Sequence, residues 1–335
     1  MTRCNLLLPL LLAAPLALQA AGRTDPDALC APWQAVPVPA ADAGAAAPAC
    51  DTMALYYGAD GTGGDPIAAR HCAYQERDRD PTVPFGGSGV LMMLYANGEG
   101  VARDLPLARR FACEYGGAPA EVRFRLDHLA RIEANPQAAR IDLCNDITSG
   151  HMSGLCAGRD AHFAANGRAK AWQTLQADWT PDQRAAWRRL RDAADTYFEK
   201  TSAYEIDLSG TARNVFLVGA RERQETQLLE DVQQFERGAR PEQSSASLAP
   251  LDATLNAVYR DVRARLQTGA SPHETALLGT IDADGVRDTQ RAWLRYRDAF
   301  VAFAVTRWPD VEGDAWRAWL TDRRTGDLEA ILDSP

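Results

Sequence analysis

Cys144, His151, Cys156 and His162 are the side chains whose types and spacing most readily suggest chemistry, because two cysteines and two histidines can hold a zinc ion. The intervening lengths of six, four and five residues are unlike the tight knuckles of such sites. In an oxidising compartment a Cys144–Cys156 disulfide is the favoured reading. His71, His128 and His273 have no partner pattern around them and read as surface or internally satisfied residues. For nucleophilic catalysis, "GGSG" at 86–89 lacks the strand-to-helix context of a hydrolase elbow, and "GADGTGG" at 58–64 reads as a turn. Glu205 and Asp207 are two apart, a spacing that faces apart on a helix. No catalytic residue, metal site or cofactor is expected.

A second stretch, "TQRAWLRYRDAF" at 289–300, concentrates arginine and aromatic rings. A nucleic-acid surface is a poor reading of it: acidic residues outnumber basic ones 45 to 36, the net charge is -9, and lysine occurs only at Lys170 and Lys200. Helical spacing explains it better. Trp293, Tyr296, Phe300 and Phe303 form one apolar stripe, with Arg291 and Arg295 on the wet side. Arg297 lies four residues after Trp293 and three before Phe300, so its stem must run along the stripe and its guanidinium needs a carboxylate or helix-end carbonyl.

The elements that must carry these residues begin with an export signal over 1–22, with Arg3 ahead of an apolar run from Leu6 to Leu18 and small residues at Ala20 and Gly22. The run is too short, and too broken by Pro9 and Pro15, to span a membrane, and no other segment reaches the necessary ~20 apolar residues. A periplasmic or secreted chain follows. Cys4 precedes the apolar run and leaves with the signal. Six cysteines remain (Cys30, Cys50, Cys72, Cys113, Cys144 and Cys156), an even count that predicts three disulfides with fifteen possible pairings. The Ala- and Pro-rich lead at 23–48 reads as loosely ordered and tethered by Cys30.

An internal repeat follows over 49–143. "LYYGADGTGGDPIAARHCA" from Leu55 matches "LYANGEGVARDLPLARRFA" from Leu94 at an offset of 39, with seven identities. A period of that size predicts stacked helical hairpins. Asp104 is placed to cap the second helix, and the turn glycines free the backbone for positive φ. "NPQAARIDLC" from Asn135 echoes "DPIAARHC" and predicts a third partial unit. Cys72 aligns with Phe111, just before Cys113, which predicts a Cys72–Cys113 bridge between neighbouring second helices. On Leu94, Tyr95, Gly98, Gly100, Asp104, Ala108 and the glycines at 116–117, the segment resembles the Sel-type subfamily of tetratricopeptide-like repeats. The resemblance implies a binding scaffold.

From residue 144 the pattern is helical and aromatic. Trp187, Leu190, Arg191, Asp192, Ala193 and Tyr197 precede Trp293, Tyr296, Arg297, Asp298, Ala299 and Phe303 by 106 residues, with four of the six identical. Two related helical bundle modules, 144–238 and 247–335, are expected on either side of a polar linker at 239–246. Asp252, Leu255, Asn256, Tyr259, Gln290, Trp293, Arg297, Asp298, Arg324 and Leu328 resemble the pattern of the LprI-type lysozyme-inhibitor family of secreted bacterial proteins. That pattern is an Asp-x-x-Leu-Asn-x-x-Tyr helix, a Gln-x-x-Trp-x-x-x-Arg-Asp helix and an Arg-x-x-x-Leu ending. The family's two-cysteine lead is absent here, and Phe300 and Val301 stand where a further cysteine belongs. "CNDITSGHMSGLCA" from Cys144 is similar to that lead, which makes 144–238 a degenerate copy.

The expected fold is all-α: a short hairpin array followed by two small helical modules. The resemblance implies a non-catalytic exported protein with a protein partner, a lysozyme or other wall-active enzyme, and no nucleic acid. It assigns the ten motif residues a structural rather than a recognition role, and it implies that 247–335 folds alone. A repeat-type envelope adaptor and a wall-degrading enzyme with two scattered carboxylates are the competing readings.

Overall fold

Why the chain breaks into helices where it does is clearest at its aspartates. In a computed structural model, which describes residues 25–43, 50–135, 137–267 and 279–333, the Asp65 carboxylate accepts from the backbone N–H of Ile67 and Ala68, and Asp104 accepts from Leu107. Each satisfies N–H groups that the first helical turn leaves without partners, and each is followed closely by a proline that fits there. The residues read as an export signal, 1–22, lie outside the described residues.

In chain order the helices are α1 (Pro26–Cys30), α2 (Ala40–Ala43), α3 (Thr52–Tyr57), α4 (Pro66–Arg77), α5 (Gly87–Asn97), α6 (Leu105–Tyr115), α7 (Pro119–Ala134), α8 (Gly150–Leu175), α9 (Pro181–Tyr204), α10 (Arg213–Glu236), α11 (Leu248–Gln267), α12 (Ala283–Arg307) and α13 (Gly313–Leu332). No strand occurs among the described residues, so the fold is all-α. No described helix is long and apolar enough to cross a membrane.

Two helical hairpins, α3–α4 and α5–α6, fall on the two matched segments. Their aligned turn glycines, Gly61 and Gly100, have φ of +78° and +62°, which only glycine adopts without strain. α5 is buried along almost its whole length, and "GGSG" is simply its start: Ser88 is buried and donates to Glu114 Oε2 at 3.0 Å. The third echo does not make a helix. Residues 137–145 run as turns, because the Asn97 side chain pairs with both the N–H and the carbonyl of Ile141 at 3.0 Å and directs Ile141 and Leu143 into the core.

The described part of the lead, 25–43, is a packed strap and not a loose tether. Val36, Val38 and Ala43 lie against the hairpin core, Arg110 donates to the Val36 carbonyl, Tyr95 Oη donates to Asp42 at 2.7 Å, and the Arg109 guanidinium sits 4.8 Å above Trp33. The disulfides are Cys30–Cys113, Cys50–Cys72 and Cys144–Cys156. The last is the expected one and leaves neither thiol for a metal. Cys72–Cys113 is corrected: Cys72 is bonded to Cys50 and Cys113 to Cys30, and α4 and α6 are joined instead by side chains, Arg77 reaching Glu114 and Tyr74 packing on Phe111.

α8 joins two hydrophobic cores, with Met152 and Cys156 in the first and Trp172 and Leu175 against the second. In the second core α8 and α10 run parallel, as do α11 and α13, where Ser245 reaches Glu312 and Arg265 donates to the Leu332 carbonyl at 2.5 Å. α9 and α12 are antiparallel and form the most extensive helix pair: Gln183 donates to the Thr306 carbonyl at one end, and Tyr204 meets Gly285 at the other. A Cβ on Gly285 would lie 2.8–3.0 Å from the Cβ, Cγ and Cδ1 of Tyr204, so the crossing requires the absence of a side chain there. The segments 144–238 and 247–335 thus share one core where two bundles were expected. Each has its richest apolar stripe on its middle helix, and α9 and α12 bury those stripes against one another.

Non-reducing peptide mapping of the chain from residue 23 onward is expected to recover Cys30–Cys113, Cys50–Cys72 and Cys144–Cys156 with no free thiol, and a Cys72–Cys113 peptide would contradict the fold. Replacing Cys30 and Cys113 by Ala opens an 83-residue separation and is expected to lower unfolding free energy by about 4 kcal/mol in denaturant titration.

Candidate functional site

α9, α10, α12 and α13 enclose a cleft of about 500 Å³ in the second core. Its floor is set by Arg324 on α13. That side chain is fully buried, yet each of its three nitrogens donates: Nε to Gln290 Oε1 at 2.9 Å, Nη1 to Glu205 Oε2 at 2.7 Å, and Nη2 to Glu205 Oε1 at 2.5 Å. A forked guanidinium–carboxylate pair of this kind is strong and directional. Burial works against the Arg324 charge, but the Glu205 carboxylate outweighs it and holds the guanidinium pKa above its ordinary value.

A second fork lies beside it. Arg323 donates to both oxygens of Asp231 on α10, one bond measuring 3.0 Å, while its guanidinium stacks 4.2 Å over the Trp319 ring. Burial lowers the Arg323 pKa and Asp231 more than restores it. Tyr197 and Tyr296 stack across the α9–α12 seam with centroids 5.2 Å apart, and burial pushes both phenols well above their usual range. At the far end of the bundle Arg307 forks onto Glu236 at 2.9 and 2.7 Å.

The ten motif residues separate into three groups. Trp293 and Arg324 line the cleft and Gln290 accepts from Arg324, while Leu255 and Leu328 are core. Asp252, Asn256, Tyr259, Arg297 and Asp298 lie toward the outer α11–α12 edge, where Asn256 Nδ2 donates within its own helix to the Asp252 carbonyl at 2.8 Å. Arg297 has carboxylates, as its position demands, but they are the exposed Asp298 at 3.4 Å and half-exposed Asp252 at 3.5 Å, with its guanidinium 5.0 Å over Trp293. Arg291 and Arg295 are exposed, and Trp293, Tyr296, Phe300 and Phe303 are buried.

Glu205 is the residue that sequence reasoning missed. It pairs with nothing at Asp207, which instead caps the following turn by accepting from Ser209 and Thr280 N–H groups. A signal was present. A carboxylate at the C-terminal end of a helix opposes the helix dipole and therefore needs a cation. Among the described residues no group of three or more His, Cys, Asp or Glu is arranged to hold a metal ion.

Residues 236–328 match the family model described as Lysozyme inhibitor LprI. The matched segment contains all ten motif residues, whereas Tyr197, Glu205 and Asp231 lie before it. No curated protein and no solved structure matches the chain.

Glu205→Gln strands the Arg324 charge in the core and is expected to cost about 3–5 kcal/mol. Glu205→Met combined with Arg324→Met is expected to restore most of that loss, since replacing a whole buried pair by apolar groups is often neutral. Arg295→Ala, on the wet face, is expected to stay within about 0.5 kcal/mol of the parent. Urea midpoints decide all three, and equal midpoints for Glu205→Gln and Arg295→Ala would contradict the assigned role of the pair.

Proposed function

We propose that the chain is an exported, non-catalytic binding protein that inhibits a lysozyme or another wall-active enzyme. The observation that carries this reading is the match of residues 236–328 to the lysozyme-inhibitor family model. Three disulfides are compatible with a periplasmic or secreted location and with an export signal at 1–22. The net charge of -9 favours encounter with a basic target, since opposite charge speeds association. In this reading 144–238 is a degenerate copy of the family unit. Its middle helix pairs with that of the matched unit, and the ten motif residues build the scaffold without themselves touching the target.

The hairpins of 49–143 favour a second role, as a Sel-type repeat platform that holds another envelope protein. The two roles separate in one experiment. The mature chain, residues 23–335, is added to a basic lysozyme digesting a cell-wall suspension, and in parallel is used to capture partners from envelope extract. Saturable slowing of lysis is the expected result. Capture of a partner that is not a wall-degrading enzyme, with lysis unaffected, would replace the inhibitor reading by the adaptor reading.

A further inference from the structure

Residues 31–43 lie across the hairpin array, and the described side chains among them are half-buried or exposed, none fully buried. Val36, Val38 and Ala43 rest against a core whose buried residues come from α3 onward. The segment thus sits on the hairpins as a ligand sits on a surface and does not build their interior. Its course runs against the repeat order: the turn Ala31–Trp33 lies on α6 of the second hairpin, and α2 lies on α4 of the first.

The repeat itself supplies the polar contacts. Arg70 and Arg109 occupy equivalent places on α4 and α6, 39 residues apart, and both meet this one segment. Arg70 Nε donates to the Asp42 carbonyl at 3.1 Å, and the Arg109 guanidinium lies 4.8 Å from the centre of the Trp33 ring. Between them Arg110 donates to the Val36 carbonyl, and Tyr95 Oη donates to the Asp42 carboxylate at 2.7 Å. Two of these contacts take main-chain carbonyls, which any polypeptide supplies. The other two take an indole and a carboxylate nine residues apart. Arginine, tyrosine and tryptophan dominate the energetics of protein recognition, and stacked repeats offer extended surfaces on which a linear segment is read unit by unit. Pro32, Pro37 and Pro39 restrict the free segment, which lowers the entropy lost on docking.

We propose that the α4–α6 face is a binding site for a proline-bearing segment of another polypeptide that carries an indole and, nine residues later, a carboxylate, and that residues 31–43 occupy this site in cis. The Cys30–Cys113 bridge keeps the cis segment at hand, so its high effective concentration sets the affinity a partner must exceed to displace it. The inference rests on the platform role and gives that role a ligand chemistry. Peptide binding is read without lysozyme or envelope extract. A failure here therefore strikes this face alone, whereas the platform reading stands or falls on the captured partner.

The test uses the mature chain, residues 23–335, with a fluorescein-labelled, end-capped peptide of residues 31–43 as the probe, followed by anisotropy. A chain carrying Trp33→Ala and Asp42→Ala has a weakened cis segment and is expected to bind the probe one-to-one, at least about tenfold more tightly than the parent. In that chain Tyr95→Phe, and separately Asp42→Ala placed in the probe, are each expected to weaken binding about tenfold. The two together are expected to cost no more than either alone, because both remove the same hydrogen bond. Asp42→Ala by itself gives the same comparison should the doubly substituted chain fail to fold by circular dichroism. No probe binding by the folded variant, equal affinity in the parent, or additive losses would overturn the proposal. A parent chain that sediments as a concentration-dependent dimer would assign the face to the segment of a second copy and would overturn it as well.

Discussion

A buried arginine cannot be left alone, and Arg324 is buried completely. Its carboxylate comes from the end of α9, its third contact from α12, and its backbone from α13, so one ion pair fixes three helices relative to one another. Apolar packing between α9 and α12 supplies most of the burial, but packing alone tolerates sliding along a stripe of rings. A two-bond fork does not, because a shift of one helical turn, about 5.4 Å, separates both bonds at once. The Glu205 fork, with Gln290 on α12, fixes the register that lets Tyr204 pass over Gly285, and at the opposite end of α12 the Arg307–Glu236 fork ties that helix to α10.

The LprI match begins at Glu236, while the carboxylates that neutralise Arg323 and Arg324 lie at Asp231 and Glu205, before it. The matched unit therefore depends on the preceding segment for its two forks as well as for the helix that covers its aromatic stripe. The α8/α10 and α11/α13 pairs are both parallel, and the two middle helices are antiparallel, so the second core has the arrangement of two three-helix units joined through their central helices. Gln290, Trp293 and Arg324 converge at that junction, which gives these motif residues a physical role independent of any target.

Much of this was legible in the residues, and what was not has specific causes. The α12 stripe, the exposed Arg291 and Arg295, and the cap at Asp104 are local consequences of helical periodicity and of unsatisfied N–H groups, so spacing alone reveals them. The Cys144–Cys156 bridge is also local. Cys30–Cys113 is not: its partners are 83 residues apart and are brought together by a lead whose Ala- and Pro-rich composition conceals the few apolar contacts that dock it. Glu205 was hidden for the same reason. Its partner lies 119 residues away, and only the unfavourable position at a helix end hinted that a partner existed. The sharing of one core was invisible because an amphipathic stripe states that a face is buried without stating against what.

Interdependence of the two segments is the central claim, and it is tested most directly by equilibrium unfolding of residues 144–335 beside residues 247–335, each followed by circular dichroism and tryptophan fluorescence in urea. The longer fragment is expected to unfold in one cooperative transition. The shorter one, lacking α9, Asp231 and Glu205, is expected to show no cooperative transition, with its α12 stripe exposed and Arg324 without its carboxylate. A cooperative transition in 247–335 at the same urea midpoint as 144–335 would contradict the account.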